Sequence, residues 1–281
     1  MRLVSYLHVG RPGFGVVQDD RIKVLSDGDT TLMDFLREPA LLRTLESCKR
    51  ELPLADVTLL PPIPNPGKII CIGLNYHEHV AESGRTVTRH PSLFARYPES
   101  QVGHLSPMVS PLESDKLDYE GELAVIIGKG GRRIKAEQAM AHIAGYACYN
   151  DGSVRDWQHH TSQFLAGKSF VGTGAFGPWM VTADEIEDPR PLRLQTRLNG
   201  QIMQDATIDM MITPIPEQIA YISSIMPLAP GDVIVTGTPG GVGTKRTPPV
   251  YLRDGDVVEV EIDRVGVLRN PVRAEQRDAS V

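Results

Sequence analysis

The 281-residue chain has only three cysteines, Cys48, Cys71 and Cys148, and no Cys-x-x-Cys pair. The number is odd, and Cys71 and Cys148 lie in apolar, strand-like runs. That is the pattern of reduced core thiols rather than of a disulfide framework or a thiolate metal site, and a reducing, cytoplasmic setting is expected. No apolar stretch is long enough to cross a bilayer, and Met1 to Gly10 lacks the h-region of a secretion signal, so a soluble, unprocessed protein is expected. No basic run accompanies the formal charge of -6, which removes the electrostatic footprint needed for nucleic acid or a membrane surface. There is no G-x-S-x-G elbow for a serine hydrolase, no internal repeat and no low-complexity tract.

What remains is ordinary globular composition, 41% hydrophobic and 23% charged, sufficient to bury a large core without staples. Strand signals at Leu3 to Val9, Gly15 to Gln18 and Ile22 to Leu25, with an amphipathic helical stretch from Leu32 to about Cys48, read as a small α/β module. The proline-rich passage from Pro61 to Gly67 interrupts regular structure, because each proline removes a donor and fixes φ. The boundary is expected there, with a leading module over 1–64 and a main domain over 65–281. Lys68 to Leu74 reads as a buried strand and Asn75 to Ser83 as a short helix capped by Gly84. From Gly84 to Asp115 no regular pattern is evident, and so long a loop suggests a lid. Leu192 to Gln204 around Asn199-Gly200 has the signature of a two-residue hairpin, Ile215 to Met226 reads as a helix, and Asp232 to Thr236 and Val257 to Ile262 as strands. The fold class is therefore α+β and β-rich, not a βαβ array.

The chemistry concentrates around Asp118-Tyr119-Glu120-Gly121-Glu122, which leads into the apolar run Leu123 to Ile127. Side chains two apart on a strand share a face, so Glu120 and Glu122 stand together and repel unless a cation, a proton or solvent relieves them. Asp151 ends another strand signal, Tyr146 to Asn150, and three carboxylates can then converge. An all-oxygen set suits Mg²⁺ or Mn²⁺, with Ca²⁺ also compatible; the alternative is an ordinary solvated strand face. His79 and Glu82, three apart on a helix, can form a base pair in which the carboxylate orients the imidazole, or an exposed surface pair. Lys168, among small and apolar residues, can stabilise an oxyanion or simply snorkel. His77, Glu78, His159 and His160 read as solvated or structural. Thr236 to Lys245 does not match G-x-x-x-x-G-K-[ST]; it reads as a loop whose backbone and Thr238 hydroxyl approach a ligand, or as a plain turn.

The ordered set Gly73-Leu74-Asn75-Tyr76 to Glu82, Asp118 to Leu123, Tyr149-Asn150-Asp151, Arg155-Asp156-Trp157-Gln158, Gly167-Lys168-Ser169-Phe170 and Thr236-Gly237-Thr238-Pro239 resembles the fumarylacetoacetate hydrolase family. The resemblance covers about Lys68 to Val272 and implies a mixed β-sandwich roll, commonly a homodimer, with Mg²⁺ or Mn²⁺ held at Glu120, Glu122 and Asp151. It implies His79 and Glu82 as a water-activating pair on a lid helix and Lys168 as a substrate-facing lysine. Tyr119, Arg155, Gln158 and Thr238 fall at pocket positions. Where compact members have a lysine-proline-serine segment, this chain has Phe94 to Ser100, in which Arg96 is expected to meet a substrate carboxylate. Arg85, Arg89, His90, Arg96 and His104 make the presumed lid basic, consistent with a second substrate carboxylate. The activity this implies is metal-dependent hydrolysis of a carbon–carbon bond in a 1,3-dioxo acid such as fumarylpyruvate or maleylpyruvate, in aromatic-compound catabolism. Oxaloacetate decarboxylation or keto-acid isomerisation on the same site is the alternative, and a non-catalytic metal- or ligand-binding protein is a third reading.

Overall fold

Two strands at the centre of the molecule, Gly121–Ile127 and Ile143–Asn150, pair antiparallel and carry the main core on both faces. The computed structural model describes residues 1–28, 30–38, 40 and 50–277. Every residue of Gly121–Ile127 is buried, which explains its continuous apolar run: alternation is needed only where one face meets water. The faces nonetheless have different partners. Leu123, Val125 and Ile127 pack with Val258, Val260 and Ile262, whereas Ala124 and Ile126 pack with Leu3, Phe14, Phe35 and Ile63 from the amino-terminal part.

The central pair belongs to a 12-stranded mixed sheet, and a five-stranded sheet built on Arg193–Leu198, Gln201–Thr207, Val257–Ile262, Gly266–Ala274 and Met108–Ser110 lies against one face of it. This is the expected β-rich α+β roll. Arg2–His8 bonds to Gly174–Thr182 in the register Leu3↔Met180, so the leading strands continue the large sheet. Helix Leu32–Arg37, capped by a reciprocal Thr31 and Asp34 box, buries Leu32, Phe35 and Leu36. The helix expected toward Cys48 stops at Arg37, where Glu38 leaves the helical conformation at φ -136 and ψ 79; positions 39 and 41–49 lie outside the described residues.

The hairpin forms with Asn199 and Gly200 both at positive φ, as a two-residue turn of that sequence requires. The segment from Gly84 to Asp115 departs from expectation. It contains Ser92–Arg96, which pairs antiparallel with Ile69–Gly73, and the short strands Gln101–Val102 and Met108–Ser110. Five residues without clean alternation gain their order from a neighbouring buried strand, a long-range partner invisible locally.

Candidate active site

Strand parity assembles the acidic centre. Glu122 shares a strand face with Ala124 and Ile126, and Asp151 follows Ala147 and Tyr149 on the same side of the sheet, away from the five-stranded layer. Gly121, between the two glutamates, has no side chain because a Cβ there would come within 2.0 Å of Thr196 Oγ1 in that layer. Ligand atoms of Glu120, Glu122 and Asp151 all lie within 4.8 Å of one another, and the three residues are buried.

Three cations are folded into the same centre. Lys168 Nζ donates to Glu120 Oε2 at 2.7 Å and to Asp151 Oδ2 at 2.5 Å. Arg155 donates to Asp118 Oδ2 at 2.8 Å and contacts Glu120 Oε1 at 2.7 Å. Arg96 donates to Asp151 Oδ1 and to the Gly152 carbonyl. Burial alone raises the pKa of Glu120, but Lys168 and Arg155 outweigh it and hold the carboxyl well below its usual range. Among the described residues Glu122 receives a hydrogen bond only from the Gly237 N–H; burial, then Asp151 and Glu120, push its carboxyl well up. Burial also raises Asp118, against the opposing pull of Arg155 and the Thr244 N–H. Four acidic side chains therefore face three permanent cations, and among the described residues Glu122 is the one with no cation paired to it. Hard oxygen donors, one of them with no cation paired to it, fit a divalent Mg²⁺ or Mn²⁺ ion.

His79 and Glu82 lie on helix His77–Glu82, and His79 Nδ1 pairs with Glu82 Oε1 at 2.8 Å. Glu82 Oε2 accepts the Gly241 N–H at 2.8 Å, so the pair is tied to the glycine-rich loop. That loop binds protein carboxylates rather than phosphate. Gly237 N–H serves Glu122, Gly241 N–H serves Glu82, and Gly243 and Thr244 N–H serve Asp118, the last two at 2.9 Å. The Thr238 hydroxyl donates to the Gly121 carbonyl at 2.9 Å, tying the same loop to the acidic strand.

A cavity of about 120 Å³ brings together His79, Glu120, Glu122, Arg155, Gln158, Lys168 and Thr238. Asp151 lies behind it, and Glu82 backs His79. Two expectations are corrected. Arg96 does not line the cavity: it is 2% exposed, and its guanidinium is engaged by Asp151, Gly152, Ser100 and Thr173. Tyr119 is fully buried with its hydroxyl between the Gly241 carbonyl and Arg246, and burial pushes its pKa up to about 12. Of the basic residues expected on the lid, Arg85 alone reaches the cavity; His90 stacks on Tyr221, and His104 accepts the Arg269 N–H. His159, read from sequence as solvated or structural, lines the cavity, as does Lys245. Asp118 is the organising residue that sequence reasoning left without a role, although it heads the acidic motif.

A sheet roll carrying a buried, cation-demanding acidic centre beneath an open cavity defines a class of metal-associated β-rich enzymes. The chain belongs to the fumarylacetoacetate hydrolase family: the fumarylacetoacetate (FAA) hydrolase C-terminal profile matches residues 68–273, and an Rv2993c-like N-terminal profile matches residues 1–62. It is 40% identical to the bovine mitochondrial oxaloacetate tautomerase FAHD2A over 253 residues, 89% of this chain and 79% of that protein. It is 44% identical to the oxaloacetate tautomerase YisK of Bacillus subtilis over 223 residues, 78% of this chain and 74% of that protein. Among solved structures, a maleylpyruvate hydrolase from Sphingobium with manganese(II) and pyruvate superposes with a TM-score of 0.82 at 31% identity, covering 98% of this chain and 100% of that one.

Proposed function

We propose that the protein catalyses metal-dependent keto–enol tautomerisation of a small 2-oxo dicarboxylic acid of the oxaloacetate type, with its catalytic residues in the domain over 65–281. The observation that carries this reading is that His79 and Lys168 line the same small cavity as Glu120 and Glu122, so a base and an anion-stabilising cation address one ligand. Enolisation needs those two elements, and relatives at 40–44% identity carry the tautomerase name.

Glu120, Glu122 and Asp151 would hold the Mg²⁺ or Mn²⁺ ion. When bound, such an ion supplies Lewis acidity toward a 2-oxo group and its carboxylate. Glu82 fixes the tautomer of His79 by accepting from Nδ1–H, which leaves Nε2 free to take the proton from C3 of the substrate. Lys168, raised above its usual range because Asp151 and Glu120 overcome the cost of burial, stays cationic and stabilises the charge developing on the C2 oxygen. Return of the proton to that oxygen completes the isomerisation with no change in composition. Among the described residues the buried Nη2 of Arg155 has no partner, and Arg155 lines the cavity, which suits it to receive a substrate carboxylate.

Hydrolysis of an acylpyruvate is the second reading. A histidine held by Glu82 is also what water activation requires, and the maleylpyruvate hydrolase shares the fold at 31% identity. The test is to add Mg²⁺ or Mn²⁺ and oxaloacetate, then acylpyruvates, to metal-stripped protein, following enol absorbance and product mass. Metal-dependent enol–keto equilibration at constant mass supports the tautomerase. Pyruvate plus a second acid from an acylpyruvate moves the assignment to the hydrolase, carbon dioxide from oxaloacetate moves it to a decarboxylase, and silence on all substrates overturns the catalytic reading.

A further inference from the structure

The rim of the cavity has a different character from its acidic floor. Three basic side chains, Arg85, His159 and Lys245, line it, and all three residues are exposed where the floor is buried. Each is fixed by its backbone. Helix His77–Glu82 ends in a Schellman arrangement, with Gly84 at φ +65, Gly84 N–H on the Ala81 carbonyl at 3.0 Å and Arg85 N–H on the Val80 carbonyl at 3.2 Å. Arg85 is thereby set immediately beyond the helix that carries His79. Its guanidinium stands 5.7 Å from the Phe164 ring, which in turn meets Phe94 edge-on at 5.7 Å. His159 caps helix Arg155–Gln158, and Lys245 closes the short turn Gly243–Lys245.

The two permanent cations of the rim, Arg85 and Lys245, lack compensation. Among the described residues neither Arg85 nor Lys245 has a carboxylate partner, in contrast to Arg96, Arg155 and Lys168 below them. The His159 ring feels them: burial, then Arg155, Arg85 and Lys245, lower its pKa. An uncompensated cationic rim above a centre that takes the 2-oxo acid end is complementary to an anion at the far end of the same molecule.

We infer that Arg85, His159 and Lys245 form a subsite for the distal carboxylate, so that the site selects 2-oxo dicarboxylic acids over 2-oxo monocarboxylic acids of equal length. The inference rests on the proposed oxo-acid reading of the floor. It assigns Arg85 and Lys245 to specificity and not to proton transfer. Phe164 holds the Arg85 guanidinium toward the cavity and limits the entropy lost on binding.

The test is calorimetric binding to Mn²⁺-loaded protein of two unreactive acids of equal length, 2-oxoglutarate and 2-oxopentanoate, which differ by a carboxylate in place of a methyl group. The expected result is at least about tenfold tighter binding of the diacid, equivalent to about 1.4 kcal/mol. Arg85→Gln/Lys245→Gln abolishes that preference while the monoacid affinity stays within about twofold, and Arg85→Lys retains most of it. Equal binding of both acids by the unaltered protein, or a preference that survives the double substitution, overturns the subsite. If neither acid binds the Mn²⁺-loaded protein, the oxo-acid reading of the floor fails instead. Diacid preference without turnover of oxaloacetate leaves the subsite standing and removes only the tautomerase assignment.

Discussion

Replacing Glu122 by glutamine should change stability in opposite directions with and without metal. Glu122 is 2% exposed and has no cation bonded to it among the described residues; its bonded partner is the Gly237 N–H, which a glutamine oxygen can equally accept. Ligand oxygens of Glu120 and Asp151 lie within 4.8 Å of its own. At an effective dielectric near 20 each like-charge contact at that range costs about 3 kcal/mol before the attraction of Lys168 is counted. Whether the group stays ionised or takes up a proton on folding that the unfolded chain releases, replacing it by a permanently neutral amide at neutral pH gives a relief of about 1–2 kcal/mol after that offset. With an unfolding entropy of about 2.1 cal/mol/K per residue, a chain of this length should gain about 2–4 °C in Tm in EDTA. With Mn²⁺ at a hundred times Kd the native chain gains about 2.7 kcal/mol, or about 5 °C, whereas Glu122→Gln, having lost a ligand carboxylate, binds at least about 100-fold more weakly and gains almost nothing. Differential scanning calorimetry in EDTA and in Mn²⁺ measures both arms. A variant destabilised equally under both conditions would refute the reasoning, since Glu122 would then be a structural acceptor for Gly237 and not a ligand of a cation site.

His79→Ala should lower turnover by about 10²–10⁴-fold while calorimetric Mn²⁺ affinity is unchanged; unchanged turnover would remove His79 as the base. Asp118→Ala leaves Arg155 without its 2.8 Å partner and the Gly243 and Thr244 N–H groups unsatisfied. Loss of one member of a buried pair costs about 3–5 kcal/mol, and a urea titration showing less than about 1 kcal/mol would contradict the organising role. Burial, with Arg269 nearby, pushes His104 from 6.5 down to about 4, so between those values the unfolded chain binds a proton that the folded chain does not. Stability should therefore fall as pH drops through that window, by about 2 kcal/mol after allowance for solvent screening. His104→Gln keeps the acceptor for Arg269 N–H and should flatten this part of the pH–stability curve, and parallel curves for the two proteins would count against it.

Much of the site was legible because its signals are short-range or belong to an ordered set of motifs. Glu120 immediately precedes the strand Gly121–Ile127 and Glu122 lies two positions on at its start, and His79 and Glu82 are three apart on a helix, so spacing places each pair together. Arg96 shows the opposite case. Its sequence neighbours suggest an exposed lid arginine, yet Ser92–Arg96 is a strand against Ile69–Gly73, and that pairing carries the guanidinium under Asp151. Arg85 and Lys245 are 160 positions apart in the numbering and meet only at the cavity rim, while His159 looked like one of two unremarkable histidines.

The sequence by itself determined the β-rich class, the hairpin at Asn199-Gly200, the Gly84 helix end and the acidic pair, because these depend on backbone conformation and side-chain spacing over a few residues. Tertiary structure alone decided which charges neutralise one another. Glu120 became the carboxylate paired with cations, Glu122 the one held by a backbone N–H, and the glycine-rich loop a cradle for Glu82, Glu122 and Asp118. In a buried, low-dielectric centre the interaction of two charges depends on a few ångströms of separation, and those separations are set by strand register and loop packing between residues far apart in the chain.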